Sequence, residues 1–297
     1  MKEDYSKISP TAVFCARMRA KQGIPFAKEI MTLIDTKYKN QVEDLPDYGD
    51  SNKKSDFIPF IEGRYYSLND SLKNMENVFI LELASGLSPR SLNFLKKDVI
   101  YLDTDLKNLI EVKKKIFYEI IKKDNLDRSN LFFMEANPLE EKDIDSLGLF
   151  YQNQGENKQL IVIHEGLLMY FNREEKKKFM KNIKKLFEKY APNGLLMTTD
   201  LSRTTKKENS KKGQENIRDK IATAIKKDFD YFGSEEEAKQ FVSDCGFKLE
   251  ILANKKFIEE LIAKKGLEKN KNDILESAKE YRVWKVRLGK TRFLIGQ

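Results

Sequence analysis

The most constraining feature of the chain is the stretch 77–105, NVFILELASGLSPRSLNFLKKDVIYLDTD. Val78-Phe79-Ile80-Leu81 is apolar without interruption, the pattern of a parallel strand covered on both faces. It runs into Glu82-Leu83-Ala84-Ser85-Gly86-Leu87-Ser88, a turn of mostly small residues where backbone can approach a ligand and present amide N–H groups at a helix start. Ser88-Pro89 has the form of an N-cap followed by proline at the first helical position. A second strand, Val99-Ile100-Tyr101-Leu102, then ends in Asp103-Thr104-Asp105. An acid about twenty residues beyond a glycine turn is where the ribose hydroxyls of a nucleotide-type cofactor are held.

This is half of the usual fingerprint. A three-glycine turn would need glycine at Ala84 and Ser88, and only Gly86 is present. Spacing alone leaves two readings, a nucleoside-cofactor site or the buried strand–turn–helix of any α/β protein.

The rest of the chain repeats the strand–helix alternation. Helical segments are expected from Ser9-Pro10-Thr11 onward, over 26–38 and over 57–75, the last containing Arg64 as an anion clamp or a solvated cation. A loop is expected over 45–52. A helix over 106–123 leads to the strand Leu131-Phe132-Phe133-Met134, which ends near Asn137-Pro138. There a carboxamide can bond a ligand base or simply form an Asn-Pro turn. Gln159 to Ile163 is a fourth strand running into His164-Glu165-Gly166. Asn172 caps a helix over 173–190, and a fifth strand, 195–200, ends at Asp200. Residues 203–230 are rich in Lys, Glu and Asn and read as an insertion, a candidate lid. Gly233-Ser234 opens a helix closed by Gly246, and 247–252 and 281–288 alternate as two late strands, suggesting an antiparallel sheet edge.

The expectation is one α/β domain over 1–297: a Rossmann-like, seven-stranded, mostly parallel sheet with helices on both faces. Within it, 1–75 is an N-terminal helical cap, 76–202 the cofactor-binding core, 203–230 the lid and 231–297 the remainder of the sheet. Ligands of such sheets sit at the carboxyl ends of the strands. Those ends are Glu82 to Gly86, Asp103 and Asp105, Asn137, His164-Glu165 and Asp200, all polar.

Composition narrows the chemistry. The single histidine and two distant cysteines, Cys15 and Cys245, supply neither a metal-ligand spacing nor a disulfide framework. The charged start MKEDYSKISP has no signal-peptide core and no apolar run reaches membrane-spanning length, so a cytoplasmic protein is expected. The net charge of +8 admits a nucleic-acid partner, but the lysines lie in helices that also carry Glu and Asp, without aromatic interleaving.

The residues SPTAVFCARMRA, LELASGLSPR, YLDTDL, IVIHEGLLMYF and GLLMTTDLS resemble the class I S-adenosylmethionine (SAM)-dependent methyltransferases. More narrowly, they are similar to the leucine carboxyl methyltransferase and polyketide-type O-methyltransferase family, over most of 1–202. That resemblance implies SAM as cofactor and S-adenosylhomocysteine (SAH) as product. Glu82, Ala84 and Gly86 would lie along the cofactor's methionine and ribose, Asp105 (with Asp103 as second candidate) on the ribose hydroxyls, and Asn137 and Pro138 beside the adenine. Arg64 would pair with the cofactor's carboxylate, Glu165 would sit by the sulfonium and reactive methyl, and Tyr170 would line the acceptor pocket.

Methyl transfer is an in-line displacement that requires alignment of acceptor and sulfonium. A carboxylate acceptor is already ionised at neutral pH, whereas a phenol benefits from a base. His164 is either that base or a strand-end residue with a satisfied hydrogen bond. The expected activity is therefore O-methylation of a carboxylate or hydroxyl on a small molecule or peptide, with oligomeric state open. The alternatives are a nucleic-acid methyltransferase, for which no Asn-Pro-Pro-aromatic or Pro-Cys signature follows the fourth strand, and a cofactor-binding protein without catalysis.

Overall fold

The computed structural model describes residues 9–41, 57–96, 98–155, 157–202, 229–252, 255–266, 271–272, 275 and 281–289. The loop expected over 45–52, and all but the last two residues of the insertion expected over 203–230, lie outside these.

The sheet has seven strands: β1 (Val78–Glu82), β2 (Val99–Asp105), β3 (Leu131–Glu135), β4 (Gln159–His164), β5 (Leu195–Thr198), β6 (Phe247–Leu252) and β7 (Val283–Leu288), in the order β3-β2-β1-β4-β5-β7-β6. The first five run parallel. The late strands differ from the expected edge in one respect. β7 inserts between β5 and β6 and is antiparallel to both, so β6 runs in the direction of the first five. Alternation shows that a strand is half-covered; its position in the sheet depends on burial. Val283, Trp284 and Val286 of β7 are fully buried, whereas β6, at the edge, is mostly half-exposed.

Both faces carry helices, which explains the unbroken apolar run of β1. Phe79 and Leu81 pack toward α6 (Glu141–Gly155), α7 (Arg173–Tyr190) and α8 (Glu235–Asp244), in a cluster with Ile144, Phe179 and Val242. Val78 and Ile80 point the other way, into a cluster with Val13 of α1 (Pro10–Lys21), Ile30 of α2 (Ala27–Leu33), Leu68 of α3 (Phe57–Leu72) and Ile116 of α5 (Lys107–Asp124). Each such side chain stabilises the fold by roughly 1.5–3 kcal/mol on full burial. The remaining α-helices among the described residues are the short α4 (Arg90–Asn93) and α9 (Lys255–Lys265).

Several local signals act as their chemistry dictates. Asn172 and Glu175 form a reciprocal capping box at α7, and Ser234 accepts the Glu237 N–H at α8. Helix α6 has no counterpart in the sequence reading. Its apolar spacing at Ile144, Leu147 and Tyr151 is helical, but Gly148 and Gly155 weaken the signal. Tertiary packing requires them: a Cβ at Gly148 would lie 2.2 Å from the Tyr190 ring, and one at Gly155 2.4 Å from the Phe79 ring.

Strand order reverses between β1 and β4, which creates a crevice beyond their carboxyl ends. The candidate site lies there.

Candidate active site

The turn after β1 is tied into the sheet by backbone bonds: Leu83 N–H donates to Ile163 O (2.8 Å) and Ser85 N–H to Thr104 O (2.8 Å). Two residues in it are left-handed, Ala84 (φ 50°) and Gly86 (φ 53°). Gly86 N–H donates to Asp105 Oδ2 at 2.7 Å and Leu106 N–H to Asp105 Oδ1 at 2.8 Å. Burial raises the Asp105 carboxyl above its ordinary value, against these two N–H groups, which lower it. Helix α1 passes over the turn, with Ala12 Cβ 3.8 Å from where a Cβ on Gly86 would stand. The left-handed conformation suits glycine and costs an L-residue about 1 kcal/mol. Ala84→Gly is therefore expected to leave the fold intact and raise stability by up to about 1 kcal/mol, read as an increased urea midpoint.

Beneath the turn is a second polar group. Lys113 Nζ, wholly buried, donates to Asp103 Oδ1 (2.8 Å) and Ser85 Oγ (2.9 Å), and Ser91 Oγ donates to Asp103 Oδ2. Of the two acids at the end of β2, Asp103 is thus enclosed at 0 % exposure and paired, while Asp105 sits at the tip facing Gly86.

The third feature is a buried ionic cluster. Arg90 of α4 reaches between two carboxylates, donating to Glu82 at the end of β1 and to Glu165 Oε2 (2.5 Å) after β4. Glu165 Oε1 also meets Arg19 of α1 at 3.0 Å and Arg64 of α3 at 3.7 Å. Glu82 further accepts the Tyr101 hydroxyl (2.6 Å), and the Arg90 guanidinium lies over the Tyr65 ring, 4.8 Å from its centroid. The electrostatics of the two acids diverge. Burial pushes the Glu165 carboxyl up, but Arg19, Arg90 and Arg64 together hold it below its ordinary value. For Glu82, burial prevails over Arg90 and raises it. Glu165 is therefore ionised and a weak proton acceptor.

His164, at the end of β4, is fully buried. Its Nδ1 lies 3.1 Å from Asp200 Oδ2 and 3.2 Å from Thr198 Oγ1, its ring meets Phe179 edge-on, and Nε2 has no hydrogen-bond partner among the described residues. Asp200 also accepts the N–H groups of Gly166 (2.7 Å), Leu167 (2.7 Å) and Leu168 (3.0 Å). Burial pushes the Asp200 carboxyl up, and His164, Arg64 and the Gly166 amide outweigh it, so it lies below its ordinary value. Tyr170 stands half-buried at the end of this turn, its ring edge-on to Phe229, with its phenol raised by burial. Asn137 uses its side-chain oxygen to accept Leu139 N–H (3.0 Å), the ordinary turn reading, and Pro138 O accepts from Asn182 (3.0 Å).

Glu82, Ala84, Gly86, Asp105, Arg64, His164 and Glu165 thus gather at the β1/β4 crevice, while Asn137 and Pro138 follow β3, which β2 separates from β1. Arg19, Arg90 and Lys113 were not anticipated as site residues. Lys113 left a readable signal, since it falls four residues after Leu109 and three before Ile116, on the apolar stripe of α5. Arg90 and Arg19 had none, because spacing does not tell a buried arginine from a solvated one, and Glu165, the carboxylate they share, lies 75 and 146 residues away.

No family model matches the sequence, and no curated protein matches it. Among solved structures, the chain is similar to an O-methyltransferase family protein from Burkholderia thailandensis, at 11 % identity and a TM-score of 0.45, covering 95 % of this chain and 73 % of that one. It is similar to human N-acetylserotonin methyltransferase in complex with SAM, at 11 % identity and a TM-score of 0.45, over 95 % and 72 %. Magnesium protoporphyrin IX methyltransferase from Synechocystis with bound SAH matches at 11 % identity and a TM-score of 0.41, over 81 % and 90 %. Identities this low leave the chemistry to the site's own residues.

Proposed function

We propose that this chain is a SAM-dependent O-methyltransferase whose acceptor is a carboxylate of a small molecule or peptide. The observation that carries the reading is the Asp105–Gly86 pair at the switch point of the sheet. Each Asp105 oxygen accepts one backbone N–H and retains a lone pair, the capacity needed for two vicinal ribose hydroxyls. Asp103 is committed to Lys113 and Ser91, so the ribose role goes to Asp105 alone. The residues also suit the other end of such a cofactor. Three guanidiniums bring more N–H donors than the Glu165 carboxylate can accept, and Arg19 Nε has no partner among the described residues. An anionic amino-acid carboxylate is the ligand that three cations around one carboxylate suit, with Arg64 as its partner on the resemblance.

SAM, when bound, supplies an electrophilic methyl on a sulfonium. The protein's part is alignment, water exclusion and charge placement. In this reading the 83–88 turn and Asp105 hold the nucleoside, Asn137 and Pro138 border the adenine, and ionised Glu165 stands near the sulfonium as a fixed negative charge. Tyr170 lines the acceptor side. A carboxylate acceptor is favoured over a phenol because, among the described residues, no side chain here is poised as a base. His164 is sequestered, Glu165 is held by arginines, and the Tyr170 phenol is raised by burial. The alternative of cofactor binding without turnover is an outcome of the same test.

Calorimetric titration with SAM and SAH decides the matter. Micromolar binding to the wild type is expected, weakened at least about 100-fold by Asp105→Ala, since two hydrogen bonds to a charged acceptor contribute roughly 3 kcal/mol or more together. Absence of binding to the wild type overturns the methyltransferase reading. Binding without methyl turnover on any of a broad panel of acceptors, carboxylates first, overturns the catalytic half only.

A further inference from the structure

We propose that Asp200 and His164 form a positioning pair that fixes the turn carrying Glu165 and Tyr170. Neither touches the reacting atoms in the reading given above. They act through the backbone between them.

A carboxylate has room for about four donors. Asp200 receives four: the N–H groups of Gly166, Leu167 and Leu168 and the Nδ1–H of His164. Three consecutive amides converge on one side chain only if the backbone curls around it, and Gly166, at φ 76°, supplies the left-handed step. Asp200 is itself anchored, because its own N–H donates to Thr198 Oγ1 at 3.0 Å, and that oxygen lies 3.2 Å from His164 Nδ1. The turn after β4 is therefore clamped to the end of β5. One end of the clamped segment delivers Glu165 to Arg19 and Arg90, and the other delivers Tyr170 to the neighbourhood of Phe229.

The histidine's surroundings identify its contribution. Nε2 is buried without a partner among the described residues and Phe179 lies edge-on to the ring, so this imidazole is a poorer core residue than an apolar ring of the same size. What it provides is the Nδ1–H bond to Asp200. The proton is accordingly on Nδ1, the one ring nitrogen that faces an acceptor among the described residues. Held in this way, the pair sets where the Glu165 carboxylate meets the arginines without taking or giving a proton itself.

His164 is the sole histidine of the chain, so a histidine-labelled sample gives a one-residue nitrogen spectrum. The expected spectrum has a protonated Nδ1 and an unprotonated Nε2, with slow amide exchange at 166–168. A protonated Nε2, or fast averaging between tautomers, overturns the pair. Two variants then separate positioning from mere packing. His164→Phe fills the pocket but removes the donor. It is expected to keep a melting temperature near the wild type's, to speed amide exchange at 166–168, and to weaken SAH binding by about tenfold, the loss of one hydrogen bond to a charged group. His164→Asn, whose amide nitrogen stands near the place of Nδ1, is expected to restore slow exchange and most of the affinity. Unchanged exchange and affinity in His164→Phe, or equal losses in both variants, overturns the inference. The affinity half rests on the SAM reading. If the wild type binds no SAH, that reading fails, while the tautomer and the amide exchange still decide the pair.

Discussion

Arg90→Met is expected to cost about 3–5 kcal/mol of folding free energy, the usual result of removing one partner from a buried ionic group. Arg90 is wholly buried and is the bridge between Glu82 and Glu165, which are themselves 2 % exposed as side chains. Methionine fills much of the volume, so packing is nearly conserved and the loss is electrostatic. Glu82 would retain Tyr101, and Glu165 would retain Arg19 and Arg64. The two acids would nonetheless lose the cation that reconciles them. Arg90→Lys is expected to recover less than half of the loss. An ammonium is a point charge on a flexible stem, whereas the guanidinium fork reaches both carboxylates and Asn69 while lying flat over Tyr65. Urea unfolding of the three proteins measures both effects. A loss below about 1 kcal/mol in Arg90→Met, the size of an exposed pair, would show that the cluster is solvated.

Lys113→Met is the second large effect, again about 3–5 kcal/mol, because Asp103 is left enclosed with only the Ser91 hydroxyl. The double variant Lys113→Met/Asp103→Asn is expected to regain most of this. The amide oxygen still accepts from Ser91, and no charge remains to be compensated. This cycle also bears on function. With the ribose role assigned to Asp105, the double variant is expected to bind SAH within about threefold of wild type, about 0.6 kcal/mol, apart from any loosening of Ser85 in the turn. Calorimetry showing a loss as deep as that of Asp105→Ala would return Asp103 to the binding site. The buried Lys–Asp pair would then owe its place to the ligand rather than to the turn above it.

The two predictions share a cause that bears on what the sequence could disclose. The run Val78 to Leu81, the small-residue turn and the acid at Asp105 are local signals. Their meaning depends on residues within reach along the chain, and they suffice for a strand covered on both faces, a tight turn and an acid at its mouth. The cap at Asn172 is of the same kind. These elements, and with them the mainly parallel seven-stranded sheet, were legible because periodicity and turn chemistry are properties of a few neighbouring residues.

What only the tertiary structure decided concerns residues brought together from far apart. Arg19, Arg64 and Arg90 converge on Glu165 from separations of 146 residues in the first case and 75 in the last. No sequence pattern distinguishes an arginine buried against a distant carboxylate from one on a solvated helix face. Asp103 and Asp105 are equivalent by spacing, and it is Lys113, reaching up from α5, that encloses one and leaves the other at the tip. His164 lies at a strand end in either reading. Its sequestration follows from Asp200 and Phe179, supplied by the next strand and the next helix. The position of β7 between β5 and β6 belongs to the same class, since alternation reports a half-covered face and only burial on both sides sets the place in the sheet. Local sequence thus wrote the elements and the backbone of the crevice. The state of each charged group within it was set by long-range burial, because ionic partners are chosen by distance in space and by exclusion of water, neither of which is encoded in spacing along the chain.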